Sequence, residues 1–175
     1  KTTTLVANRY KMLYVGYNSS SQSVQVQGGR SLMQSVSAPA FDIETPISNI
    51  KDFYTVSNIF ENSKNYSVMG IMQSQDDDLY FQAYNITDTD EKTGWLERVG
   101  DAIVVGNGHT CTAFCDESEI RFYYVRERKI YKSVLNLNTM QISSEVFVAN
   151  GDYYKECSVG FWLRKEGVLT YVKKL

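Results

Sequence analysis

The chain has 175 residues and a formal net charge of −2 at pH 7, with 43% hydrophobic and 22% charged residues. That size suits one globular domain with a sizeable core, and the slightly acidic balance offers no field to draw in nucleic acid or acidic lipid. No apolar run approaches the ~20 residues of a membrane helix, so membrane insertion is not expected.

Aromatic residues are plentiful, with 13 Tyr against only 2 Pro. Tyr-rich sequences favour strands and also favour binding surfaces. The chain opens on Lys1 without a visible signal peptide, which reads as a processed protein or a piece of a longer one.

In residues 1–17, Tyr10, Met12 and Tyr14 alternate as in a strand, while Leu5, Val6, Tyr10, Leu13 and Tyr17 fit a helical stripe nearly as well. The run 11–17, followed by serines and then by residues 23–27, reads better as a hairpin. Residues 18–40 are rich in Ser and Gln, turn at Gly28 and Gly29, loop around Pro39 and read as an exposed connection. In residues 41–66, Ser48 caps a short helix through Ile50, Phe53 and Tyr54, or residues 53–56 form a strand; both readings stay open.

Residues 86–110 hold a polar loop at 87–94, short strands at 95–99 and 102–105, and a Gly-rich turn at 106–109. Residues 111–148 then read as four short strands. Thr112 to Cys115 is an apolar run, and Ile120, Phe122 and Tyr124 alternate with Arg121, Tyr123 and Val125. Arg126, Glu127 and Arg128 make a charged hairpin tip, a second alternating run follows from Ile130, and a further run covers 142–148.

Segments starting at Ser67, Cys111 and Cys157 look alike. Each passes from small apolar residues through a charged turn into an aromatic strand, and the starts are 44 and 46 residues apart. A period of this size with short antiparallel strands resembles the blades of β-propellers, including those of phage or viral receptor-binding proteins and carbohydrate-binding propellers. The resemblance covers residues 66–175 at most and lacks both the sialidase Asp-box and Trp-Asp repeats. It implies an all-β fold of antiparallel four-stranded meanders, propeller-like, with a β-trefoil or a β-sandwich as alternatives. Residues 1–175 would form a single domain, with an irregular portion at 1–65 and a repeat-like portion at 66–175.

No catalytic set stands out. His109 is the only histidine, and with Cys111, Cys115 and Cys157 it matches no zinc spacing, so a solvated turn histidine and buried free thiols are expected and no metal. Free thiols suit a reducing compartment, whereas sequons at Asn18, Asn65 and Asn85 arise readily by chance in so polar a sequence. Asp76, Asp77 and Asp78, like Asp88, Asp90 and Glu91, lack the calcium-loop spacing and read as exposed acidic turns. Asp116, Glu117 and Glu119, or Asp76 to Asp78, are the candidates for a glycosidase pair, but all lie at turns between strands. Gly106 and Gly108 form no phosphate loop.

Arg121, Arg126, Arg128, Lys129 and Lys132 interleave with Tyr123, Tyr124 and Tyr131, a pattern on which bases stack, but neighbouring acids point to a solvated hairpin. Aromatic side chains in polar surroundings are the expected ligand contacts: Tyr153 and Tyr154 first, with Trp162 and Trp95. The expectation is a non-enzymatic recognition or adhesion module without a cofactor, binding a glycan or protein receptor, extracellular or on a virion surface. A carbohydrate-active enzyme fragment and a structural subunit packed among other chains are the alternatives.

Overall fold

The computed structural model describes residues 3–7, 12–29, 41–86, 96–151, 158–162 and 166–170, and its regular structure is all-β. Strands β1 (Thr3–Ala7), β2 (Met12–Asn18), β3 (Ser23–Gly29) and β4 (Phe41–Asp42) form an antiparallel sheet in chain order. Strands β5 (Asp52–Ser57), β6 (Val68–Gln73), β7 (Asp78–Ile86) and β8 (Leu96–Asn107) form a first meander. A second comprises β9 (His109–Asp116), β10 (Glu119–Arg126) and β11 (Lys129–Asn136). Beyond β11, β12 (Gln141–Ile142) and β13 (Val146–Asn150) share its far edge. A hairpin of β14 (Ser158–Trp162) and β15 (Glu166–Thr170) follows. Among the described residues there is no α-helix, only a short 3-10 turn at Ile59–Glu61.

The two meanders are one sheet. Val56 pairs in parallel with Ala113, and Ser57 with Phe114, so the first strands of both meanders lie side by side. The three look-alike segments therefore hold different places. The one near Ser67 is the second strand of its meander, the one at Cys111 is the first strand of the next, and β14 belongs to a separate hairpin. The described meanders join edge to edge in a continuous sheet, not as separate blades.

In the N-terminal third, the described part of residues 3–57 contains five strands, among them the hairpin of β2 and β3, and of the two readings left open for 53–56 the strand is the one observed. The two short strands expected at 95–105 are one long strand, β8, bent by two register shifts against β7.

Alternation sets the core. Ile120, Phe122 and Tyr124 of β10 are buried, and Phe122 meets Phe81 of β7 edge-to-face at 5.8 Å between ring centroids. Val15, Val24 and Val26 of the N-terminal sheet join the same core cluster. Phe114, Val125 and Ile130 are buried outside this cluster.

The sheet curls until the end of β8 crosses β10 and β11, giving a nearly closed, barrel-like form. The crossing needs glycine: a Cβ on Gly106 would overlap the Tyr124 ring, and one on Gly108 would press on the Val125 carbonyl. The hydroxyl of buried Ser133 on β11 donates to the Val105 carbonyl at 2.6 Å and locks the crossing.

Gly106→Ala is expected to cost about 1–3 kcal/mol, since a rigid buried ring must shift to admit the methyl group. Urea unfolding should show a lower midpoint with an unchanged slope. A wild-type midpoint would contradict this packing.

Candidate recognition surface

At the end of the barrel where β8 turns into β9, two polar clusters meet. The first fixes the turn itself. Lys51 Nζ and Gln73 Nε2 both donate to Asp77 Oδ1 at 2.6 Å, and the Tyr54 hydroxyl donates to Gln73 Oε1 at 2.6 Å. The same hydroxyl accepts the Thr110 backbone N–H at 3.0 Å. Thr110 has φ 51°, a costly conformation for a β-branched residue, and the Tyr54 bond helps to hold it there. Asn107 Nδ2 donates to the Asp76 carbonyl and to Asp78 Oδ1.

The acidic turn is thus a clamp on the next turn. Burial pushes the Asp77 carboxyl upward, but the bonds from Lys51 and Gln73 outweigh it and leave it below its ordinary value. His109, with Nδ1 3.2 Å from Thr110 Oγ1, is held below its ordinary value mainly by burial.

The second cluster is built around Arg126. Its guanidinium donates to both Glu145 oxygens, at 2.5 and 3.0 Å, and to the Asn107 carbonyl at 3.0 Å. It also lies 4.3 Å from the centroid of the Tyr131 ring. The Tyr124 hydroxyl donates to Glu145 Oε2 at 2.7 Å. Tyr131 stacks on Tyr124 at 6.4 Å and meets Phe147 edge-on at 6.2 Å. One side chain therefore ties together β8, β10, β11 and the approach to β13.

From this cluster β13 runs out along the edge of the sheet. Val146, Phe147 and Val148 are 58%, 51% and 38% exposed, and with Val104 they are the exposed large hydrophobic residues among those described. They form an exposed apolar stretch on an edge strand, beside the ordered aromatic–arginine cluster.

The aromatic residues expected as ligand contacts fall elsewhere. Tyr153, Tyr154 and Trp95 lie outside the described residues, and Trp162 is placed only as a residue of β14. Of the basic residues, Arg121 pairs with Asp116 at 2.9 Å and Arg126 with Glu145, so the patch is partly neutralised. Cys111 and Cys115 are free and buried, and burial pushes both thiols up, that of Cys115 to about 12, which leaves them unreactive thiols. Cys157 lies outside the described residues, and among those described no three His, Cys, Asp or Glu side chains gather to hold a metal ion.

Sequence reasoning reached Arg126 and Tyr131 only as part of a hairpin patch. It missed Glu145 and Phe147, whose partners are 19 and 16 residues away along the chain. No family model, curated protein or solved structure matches the chain.

Hydrogen bonds from Arg126, opposed by partial burial and aided by Tyr124, hold the Glu145 carboxyl below its ordinary 4.5. A depressed carboxylate stabilises the fold fully above 4.5, and that contribution fades as pH falls through the lower folded value. The stability gap between wild type and Glu145→Gln should therefore be constant above pH 4.5 and shrink below it. A gap unchanged into strong acid would mean that Arg126 does not hold this carboxylate.

Proposed function

We propose that the chain is a non-enzymatic recognition module whose contact surface is the ridge formed by the edge strand β13, with Phe147 beside Tyr131 on one face, Val146 opposite Lys132 on the other, Val148 at the bulge, and Arg126 and Glu145 behind Phe147. The observation that carries this reading is the exposed apolar run on β13, placed directly against a cluster that fixes its aromatic neighbours. Hot spots need anchors whose rotamers are already settled, because ordering them on contact weakens binding. Tyr131 meets that condition, held by Tyr124, Arg126 and Phe147.

A protein receptor fits best. The exposed aliphatic and aromatic side chains along the edge strand offer apolar contact area, with the charged pair close to Phe147. A glycan receptor is the second reading, favoured by Phe147, half-exposed and able to lie under the apolar face of a sugar. A receptor-binding or adhesion role, on a virion or outside a cell, is the setting proposed for either.

The test is binding of the folded chain to a panel of cells, with and without prior protease or glycosidase treatment, alongside Phe147→Ala. Binding should disappear after protease and survive glycosidase, and the variant should lose at least about tenfold in affinity while keeping its fold. Loss after glycosidase alone would select the glycan reading. Absence of binding to any cell, or a variant that binds as wild type does, would remove this surface from the account.

A further inference from the structure

We infer that the free edge of β13 takes up an extended segment of a partner protein, alternating acidic and apolar residues, as an added strand. This rests on the recognition reading and specifies how the partner docks.

β13 pairs with β11 on one side, and on the other its backbone has no ladder partner among the described residues. An edge of this kind presents open N–H and C=O groups to a further strand. Proteins usually guard such edges with lysine, proline or inward charge, and Val146–Asn150 carries none of these. Its one irregularity is a bulge at the register shift opposite Ile130 and Tyr131.

Charge selects the occupant. In the sheet register Lys132 lies opposite Val146 and Lys129 opposite Asn150, and neither lysine has an ion-pair partner among the described residues. The acid at the start of the strand, Glu145, is already taken by Arg126 and Tyr124. The border of the edge is therefore positive although the chain as a whole carries −2. An incoming strand lies about two ladder spacings, or ~10 Å, from β11, so acids on it come within reach of flexible lysine stems.

A second copy of this chain suits the edge less well. Pairing β13 with itself would draw the same lysines of two molecules together, and like charges across an interface oppose association. A five-residue strand against itself also buries far less than the ~1,600 Å² of a standard interface.

The test titrates the isotope-labelled full chain with three end-blocked peptides: one alternating valine and glutamate, one alternating valine and lysine, and the glutamate peptide interrupted by proline. The glutamate peptide should shift the amide signals of Val146–Asn150 and slow their hydrogen exchange. The lysine peptide should bind at least about tenfold more weakly and the proline peptide should not bind. A Lys129→Glu, Lys132→Glu double variant, both changes being on the surface and checked by circular dichroism, should reverse the preference. No shift at β13 with any peptide, equal binding of the two charge types, or shifts confined to other strands would overturn the inference. So would protection of β13 that grows with protein concentration in the absence of peptide, with a dimer in sedimentation, since the occupant would then be a second copy. Cell binding that survives while every peptide fails would sink strand addition alone; loss of both would sink the recognition reading with it.

Discussion

The ridge depends on one close approach, the seating of Gly106 against the ring of Tyr124. Because residue 106 has no Cβ, β8 can cross β10 and β11 closely enough for Ser133 to bond the Val105 carbonyl and Arg126 the Asn107 carbonyl. Those bonds stop the sheet from opening. They also hold Tyr124 under Tyr131 and place Arg126 over the Tyr131 ring. Any residue with a side chain at 106 would move the buried ring, and the ridge would move with it.

Much of this architecture can be read from local pattern. The alternation of Ile120, Phe122 and Tyr124 with Arg121 and Tyr123 forecasts β10, and the charged tip at 126–128 falls on a tight turn with Glu127 and Arg128 both at positive φ, as a two-residue hairpin connection requires. The strands at 12–18 and 23–29 likewise follow from alternation and turn chemistry. The assembly of those strands was not legible. The junction of β5 with β9 is parallel and rests on two residue pairs between residues 57 positions apart, for which no local signal exists. The look-alike segments at 67, 111 and 157 share composition because each enters a short strand from a charged turn, and that likeness says nothing of where the strand sits in a sheet.

The candidate recognition surface is legible only in part, for a related reason. Aromatic content points to binding, and polar surroundings single out Tyr153, Tyr154, Trp95 and Trp162. Exposure is set by the fold: Tyr84 and Tyr124 are buried, while Phe147, in an ordinary apolar run, stands out from the edge. Exposed apolar residues on an edge strand invite aggregation and are a cost the fold carries without structural need. The contact role proposed for this edge accounts for that cost. The same part-buried hydroxyls that make structural bonds, Tyr54 with Thr110 and Tyr124 with Glu145, brace the surrounding rim.

The central claim is that Val146, Phe147 and Val148 form a free, solvent-facing edge. Line broadening of their methyl and ring signals by a soluble paramagnetic probe measures this directly, with the buried Phe122 ring as internal reference. The account predicts strong broadening at all three residues and none at Phe122. Signals at Phe147 as sheltered as those of Phe122 would show that the edge is covered, and the surface proposed for recognition would not exist.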